Sequence, residues 1–375
     1  MTQRSTYVFS GGGTGGHLFP GLAVAEELRS RDPSARIVFA GSEREVEQRI
    51  VSDYACLHRR LSAEPSTTLR GNPARFAWRN WRAVRGAKRL LREERPTVVI
   101  GTGGFASVPV VLAAAALRIP TLLLEQNISA GRANRWLSLR ASLVCLSFEQ
   151  AAASLIRRTN YCVTGNPVRQ QISDLLNAPP EQNSNRSPTL LVLGGSQGAS
   201  AVNDAMVRAV ATLRPQLAGW KIVHQTGERD AEEVRRHYQE QNVASVVSPF
   251  FGDLVEWYRQ ANVVVSRAGA TSLAELACAG CPAVLIPYPN SLGNHQWFNA
   301  QIYASSGAAR VVEQQSDPSA TSAALTAELT PLLANIDQRD RMSRAMRVLA
   351  KPRAARSVAE RIWNLPANGS KERPQ

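Results

Sequence analysis

The sequence predicts two α/β domains in tandem, each a doubly wound parallel sheet flanked by helices. Three observations carry that expectation. A β-branched run leads into a glycine loop twice, at Thr6-Tyr7-Val8-Phe9-Ser10 before Gly11-Gly12-Gly13-Thr14-Gly15-Gly16-His17, and at Thr189-Leu190-Leu191-Val192-Leu193 before Gly194-Gly195-Ser196-Gln197-Gly198-Ala199. About thirty residues after each start comes a second strand-like run, Arg36-Ile37-Val38-Phe39-Ala40 and Lys221-Ile222-Val223-His224-Gln225. Each half then offers a further apolar run ending in glycine, Val98-Val99-Ile100-Gly101 and Val263-Val264-Val265-Ser266-Arg267-Ala268-Gly269. Continuous apolar runs followed by glycine and an alanine-rich helical segment are how buried parallel strands with crossover helices read.

The length of 375 residues suits two domains. We place the first at 1–164 and the second at 165–350. A C-terminal helix and frayed tail over 351–375 is expected to pack back toward the first. The polar, proline-containing stretch 177–188 reads as a surface loop, and the tail after Leu365 as frayed. Open α/β sheets bind ligands at the carboxyl ends of their strands, so the cleft between two such domains is where chemistry is expected.

Composition narrows the function classes. Lys and Arg exceed Asp and Glu by 44 − 30 = +14, so anions are the expected partners. The opening residues are too short an apolar run for a signal peptide. The longest apolar run, 108–124, is broken by Pro109, Arg118 and Pro120 and does not read as a membrane span. Five cysteines, an odd number, point to free thiols. Cys278-Ala279-Gly280-Cys281 spells C-x-x-C, but no second ligand pair stands at zinc spacing, and the segment reads as a helix ending at Gly280, so buried packing is expected.

The glycine loops carry the chemistry, because glycine lets helix N-terminal N–H groups approach an anion closely. The first fits G-x-G-x-x-G, a weak signal alone. A dehydrogenase would also want an acid closing the second strand, which here ends Ala40-Gly41-Ser42 with Glu43 nearest. No Gly-Lys-Ser/Thr occurs, which excludes a P-loop, and no Asp-x-Asp occurs to hold a metal-bound diphosphate. No metal and no cofactor is expected.

An ordered set of motifs then meets in one family. Gly12-Gly13-Thr14-Gly15-Gly16-His17, Gly101-Thr102-Gly103-Gly104-Phe105, Glu125-Gln126-Asn127, Gly165-Asn166-Pro167-Val168-Arg169 and Gly194 to Ala199 occur in that order. Ser266-Arg267-Ala268-Gly269-Ala270-Thr271 through Glu275, and His295-Gln296 with Asn299-Ala300, follow. This set resembles the bacterial MurG family of UDP-N-acetylglucosamine:lipid I N-acetylglucosaminyltransferases. The resemblance implies a metal-independent, inverting GT-B enzyme. It would move GlcNAc from UDP-GlcNAc to the 4-hydroxyl of MurNAc in lipid I and form lipid II for peptidoglycan. The donor would sit mainly on the second domain and the lipid-linked acceptor mainly on the first. The work site would be the cytoplasmic face of the inner membrane, with cell-wall synthesis and division proteins as candidate partners and no nucleic acid.

Such a displacement needs a base near the attacking hydroxyl, stabilisation of the departing diphosphate, and specific donor binding. His17, after the first loop, is the candidate base, with Glu125 in reserve; a structural histidine and a loop-shaping glutamate are the plainer readings. Arg169 and the Ser196 loop suit diphosphate oxygens. A surface ion pair for Arg169 and a helix N-cap for Ser196 would explain them equally. Thr14, Gly15 and Gly16 carry over with the first loop, and Ala270, Thr271, Ser272, Leu273 and Ala274 as the loop around the donor. The resemblance gives Glu275 to the ribose hydroxyls, although Ser272-Leu273-Ala274-Glu275 also spells a capping box. It gives Phe251 to uracil through its main chain, unless it is simply a core aromatic. It gives Asn127 and Gln296 to donor hydroxyls, where loop stabilisation is the alternative. Two departures stand out: 289–294 carries no acid ahead of His295-Gln296, and Gly252-Asp253 replaces an acidic pair after Phe251.

Between Arg59 and Arg95 stand eleven Lys/Arg against three acids. On a helix from about Ala74, Ala77, Trp81, Val84 and Leu91 form the expected core stripe. Trp78, Arg82, Arg85, Arg89 and Arg92 form a second stripe, with Phe76 and Arg79 alongside. Tryptophan among arginines suits an anionic membrane surface, and a solvated basic face is the other reading.

A nicotinamide oxidoreductase, another GT-B enzyme with a different acceptor or an epimerase activity, and a nucleic-acid binder are the competing classes. NAD(H) binding, turnover of UDP-GlcNAc without acceptor, and salt-sensitive DNA binding separate them.

Overall fold

The computed structural model describes residues 4–12, 15–42, 45–64, 68–178, 187–195 and 198–365. Most of the expected loop 177–188 and the tail after Leu365 lie outside them. The chain divides into two compact units, one formed by residues 1–169 with 353–375 and the other by 170–352.

Among the described residues the first unit carries a seven-stranded sheet: β1 Thr6–Gly11, β2 Arg36–Gly41, β3 Leu57–Arg60, β4 Val98–Gly103, β5 Thr121–Glu125, β6 Leu143–Leu146 and β7 Tyr161–Val163. The spatial order is β3-β2-β1-β4-β5-β6-β7, and the pairs are parallel. The second unit carries β8 Thr189–Leu193, β9 Lys221–Gln225, β10 Ser245–Ser248, β11 Ala261–Ser266, β12 Ala283–Leu285 and β13 Ala309–Val311, in the order β10-β9-β8-β11-β12-β13. Both sheets thus reverse direction once, between β1 and β4 and between β8 and β11. That reversal opens a crevice at the strand carboxyl ends, the ligand position of doubly wound folds.

Every residue of β1, β4 and β5 is buried, as a sheet covered on both faces requires. Alternation assigns the layers. Tyr7, Phe9, Ile37, Phe39 and Ile100 pack with Leu18 and Leu22 of the helix Gly15–Arg31 and with Val358 and Ile362 of the C-terminal helix Ala354–Trp363. Val8, Val38 and Val99 face the other way, onto Ala87, Leu90 and Leu91 of the helix Pro73–Glu94 and Val110 of the helix Ser107–Ala116. Arg31 pins the C-terminal helix by pairing with Glu360 at 3.1 Å and lying 4.0 Å over the Trp363 ring. In the second unit, Leu190, Val192, Val263 and Val265 pack against Val202, Met206 and Val210 of the helix Ser200–Leu213, and against Leu325 and Leu329 of the helix Pro318–Ala334.

The Pro73–Glu94 helix starts behind Asn72, whose side chain accepts the Arg75 N–H, with proline in the first turn. Its expected phase needs correction. Trp81 is 55% exposed and Ala77 is exposed, while the buried stripe is Ala83, Ala87, Leu90 and Leu91. Small alanines face the core there because the neighbouring Ser107–Ala116 helix is itself alanine-rich and comes close. Cys278 and Cys281 are buried around the αL cap Gly280, as expected, and burial pushes both thiols up to about 12.

Candidate active site

Each unit places its glycines at its own switch point, and each site is built from its own unit's residues. In the first, β4 runs into a turn in which Gly103 (φ 102°) and Gly104 (φ 75°) adopt positive φ. That turn lies on the imidazole of His17. A Cβ on Gly103 would sit 2.8 Å from His17 Nδ1, and one on Gly104 would sit 2.9 Å from the Gly12 carbonyl. Any side chain at Gly103 would displace the ring.

His17 stands in the first turns of the Gly15–Arg31 helix, half-buried, with Nδ1 3.1 Å from the Thr102 carbonyl oxygen. A carbonyl only accepts, so Nδ1 carries the proton and Nε2 the basic lone pair of the neutral ring. The same carbonyl accepts the Gln126 side-chain amide at 2.8 Å. Gln126 thereby ties the loop after β5 to the His17 turn, a link the sequence reading missed.

Glu125, at the end of β5, is 2% exposed. One carboxylate oxygen accepts the Asn127 N–H at 3.0 Å and its side-chain amide at 3.4 Å. The other accepts the Gly131 N–H at 2.9 Å and the Asn134 amide at 2.9 Å. Four donors converge on this carboxylate, which fastens the loop from 126 to 131. Asn127 is therefore held by Glu125. Arg169 is 8% exposed with its guanidinium 4.7 Å over the Phe19 ring, which replaces the surface side chain of the plainer reading. Gly15 and Gly16 open the helix that carries His17 and Phe19. Thr14 lies outside the described residues.

In the second unit, Gly195 (φ 82°) and Gly198 (φ 76°) turn the chain from β8 into the Ser200–Leu213 helix. A Cβ on Gly198 would clash with the Thr226 carbonyl oxygen, so only glycine fits. Ser196 falls outside the described residues. Gln225, at the end of β9, organises this corner: its amide donates to the Gly195 carbonyl at 3.1 Å and its oxygen accepts the Phe251 N–H at 3.0 Å. The Phe251 ring lies tilted against Trp257, with centroids 5.4 Å apart, and its main-chain N–H is committed to Gln225. Behind the loop, His224 is wholly buried between the Tyr238 hydroxyl at 2.8 Å and the Asn203 amide oxygen at 3.1 Å. Asn203 donates onward to Thr226 O and Asp230. Burial drives the His224 pKa down to about 3, so the ring is neutral.

The helix Ala270–Ala279 begins at the carboxyl end of β11 with Gly269 as its N-cap. Ser272 is inside that helix and makes no capping bond, so the capping-box reading of Glu275 does not hold. Glu275 is 5% exposed and accepts a hydrogen bond at 3.0 Å from Tyr258, another residue the sequence reading missed. Ala270, Thr271 and Leu273 are buried, and Ser272 and Ala274 half-buried, around it. Gln296 accepts the Tyr288 N–H on its amide oxygen at 2.9 Å. Arg267 is locked under Tyr288 by donating to the Ile286 carbonyl, and burial lowers its pKa to about 10.

The membrane-side candidates lie along the Pro73–Glu94 helix of the first unit. Trp78 and Trp81 are 54% and 55% exposed, with Arg82 and Arg85 each 4.7 Å over one ring. Phe76 is half-buried. Arg75 and Arg79 share the buried carboxylate of Glu64 at 3.1 Å and 2.7 Å, and Arg89 pairs with Glu93 at 2.7 Å. Arg82 and Arg85 make no ion pair among the described residues. No helix among those residues is long and apolar enough to cross a membrane, and no group of three or more His, Cys, Asp or Glu there could hold a metal ion.

Comparison with known proteins gives the family. Residues 7–145 match the glycosyltransferase family 28 N-terminal domain and residues 189–362 the family 28 C-terminal domain. The chain is 38% identical, over 98% of its length and 96% of the relative's, to the UDP-N-acetylglucosamine--N-acetylmuramyl-(pentapeptide) pyrophosphoryl-undecaprenol N-acetylglucosamine transferase of Anaeromyxobacter sp. (strain Fw109-5). The crystal structure of Acinetobacter baumannii MurG superposes with a TM-score of 0.71 at 28% identity, covering 96% of this chain and all of that one. A UDP-GlcNAc 2-epimerase from Neisseria meningitidis reaches a TM-score of 0.69 at 15% identity, covering 96% of this chain and 100% of that one, a likeness of fold alone. Two doubly wound units with glycine turns at both switch points, and near full-length identity to these transferases, establish that the chain belongs to glycosyltransferase family 28 and, within it, to the MurG family.

Proposed function

We propose that this chain transfers N-acetylglucosamine from UDP-GlcNAc to the 4-hydroxyl of the MurNAc residue of lipid I, releasing UDP and forming lipid II with inversion at the anomeric carbon. The observation that carries this is identity of 38% over almost the whole of both chains to a transferase named for that reaction.

The second unit takes the donor. Glu275, oriented by Tyr258, accepts from the ribose hydroxyls, and the Phe251 carbonyl accepts from uracil N3–H while Gln225 holds its N–H. The Gln296 NH2 meets a sugar hydroxyl. The N-terminal turn of the Ser200–Leu213 helix, entered through the glycine loop, offers main-chain N–H groups to the diphosphate, and we assign the Arg169 guanidinium to the charge that develops on the leaving UDP. We assign no metal to the reaction.

The first unit takes the acceptor. His17 Nε2 removes the 4-hydroxyl proton, because Thr102 holds the ring in the tautomer with its basic nitrogen there. Glu125 acts by positioning the loop that carries Gln126 and Asn127. The Trp78–Arg82 and Trp81–Arg85 pairs seat the Pro73–Glu94 helix on the anionic cytoplasmic face of the inner membrane, where the lipid-linked acceptor resides.

The test is incubation of UDP-GlcNAc with and without a lipid I analogue. Disaccharide-lipid formed only when the analogue is present supports the proposal. UDP-ManNAc or free GlcNAc formed without it, and no glycosylated lipid with it, would favour an epimerase or a transferase with another acceptor.

A further inference from the structure

Of the five cysteines, two are unlike the rest. Cys145 on β6 and Cys162 on β7 are registered partners on neighbouring parallel strands, and their sulfurs lie 3.7 Å apart. Neighbouring strands are spaced about 4.7–4.9 Å, inside the Cα separation of about 4.4–6.8 Å that a disulfide spans. Registered partners on neighbouring strands send their side chains to the same face of the sheet, which sets the two sulfurs side by side. Cys145 is buried, whereas Cys162 is half-buried on the edge strand.

We propose that Cys145 and Cys162 form a peroxide-oxidisable dithiol, a reversible modification site at the edge of the first sheet. The Cys162 sulfur attacks one oxygen of a hydroperoxide; the O–O bond breaks, hydroxide leaves and a sulfenic acid remains. The Cys145 thiol then attacks that sulfur, the S–S bond forms, the S–O bond breaks, and the hydroxyl leaves as water with the Cys145 proton. Two thiols and one hydrogen peroxide become one disulfide and two waters. The assignment of roles follows the surroundings. Hydrogen bonding from Cys145, with Arg361 nearby, lowers the Cys162 pKa and favours its thiolate, while the Cys145 thiol is held protonated by that bond and by burial. Cys56, Cys278 and Cys281 are buried, with pKa values raised chiefly by burial, which suppresses their thiolates.

The pair sits where its state reaches the site. β7 is followed at once by Thr164 and Gly165, whose N–H groups both bond the Leu146 carbonyl at the end of β6, and then by Arg169. A disulfide would fix the β6–β7 spacing on which that segment hangs.

The experiment treats the full-length protein with hydrogen peroxide, alkylates remaining thiols, and reads the intact mass and the tryptic map. The expected result is loss of two hydrogens, a cross-linked peptide containing Cys145 and Cys162, and recovery with dithiothreitol. A Cys145→Ser variant is expected to accumulate a dimedone-reactive sulfenic acid on Cys162. Oxygen addition without a cross-link, a cross-link through Cys56, Cys278 or Cys281, or no change in mass would overturn the proposal. The map of the unaltered protein decides this even if the variant does not fold.

Discussion

The Tyr258 hydroxyl donates to Glu275 Oε2 across 3.0 Å in a buried setting, joining the helix Val255–Gln260 to the helix Ala270–Ala279. In the proposed donor site Glu275 accepts the ribose hydroxyls, and this hydrogen bond restrains the carboxylate before the ribose arrives. Tyr258→Phe is therefore expected to raise the KM for UDP-GlcNAc several-fold, consistent with about 1 kcal/mol for one lost hydrogen bond, with little change in kcat. Glu275→Ala should cost more. Steady-state kinetics with varied donor checks this, and an unchanged KM in both variants would remove Glu275 from the ribose.

His17 and Glu125 separate by the kind of damage their loss does. His17→Ala is expected to lower kcat by about 10²–10⁴-fold, the usual range for a general base, while the Kd for UDP-GlcNAc measured by calorimetry stays put. Glu125→Gln turns an NH2 group toward donors that now converge on a carboxylate, and should reduce stability by about 1–3 kcal/mol in urea unfolding. A stable Glu125→Gln protein with lost turnover, beside an active His17→Ala, would exchange their roles.

On the Pro73–Glu94 helix the pairing pattern ranks the arginines. Arg82→Glu and Arg85→Glu should each weaken sedimentation with phosphatidylglycerol vesicles more than Arg89→Glu, because Arg89 is already paired with Glu93. Trp78→Ser with Trp81→Ser should weaken binding even at high salt, where charge is screened. Vesicle binding that ignores all of these changes would leave a merely solvated basic face.

His224 makes stability depend on pH in a defined direction. Its folded pKa, about 3, lies below the ordinary 6.5, so the unfolded chain takes up a proton that the folded chain refuses. Its contribution is complete above the unfolded value and is lost as pH falls from there toward 3, at up to about 1.4 kcal/mol per pH unit. Between pH 7 and 5 the unaltered protein should therefore lose about 2 kcal/mol more than a His224→Gln variant in urea unfolding. Parallel losses in the two proteins would contradict the buried neutral imidazole.

The parts of this fold that were legible in the sequence are those set by local rules. Glycine loops after β-branched runs located both switch points, because positive φ at Gly103, Gly104, Gly195 and Gly198 is a local demand. The phase of the Pro73–Glu94 helix was misread because tryptophan weighs more than alanine in an apolar stripe. Close helix packing chose Ala83 and Ala87 for the core and left Trp81 outside. The capping box at Ser272, the alternative reading of Glu275, fails because the helix starts earlier, after Gly269. Gln225 with Phe251, and Tyr258 with Glu275, were not legible at all. Their partners stand 26 and 17 residues away, and only the sheet order brings them together.

The most direct test is transfer of radiolabelled GlcNAc from UDP-GlcNAc to a short-chain lipid I analogue, run with EDTA and again with added Mg²⁺ or Mn²⁺. Labelled lipid formed at the same rate in both is the expected outcome, since backbone amides and a guanidinium are assigned the diphosphate charge. Transfer abolished by EDTA and restored by the cation, or no labelled lipid under either condition, would contradict it.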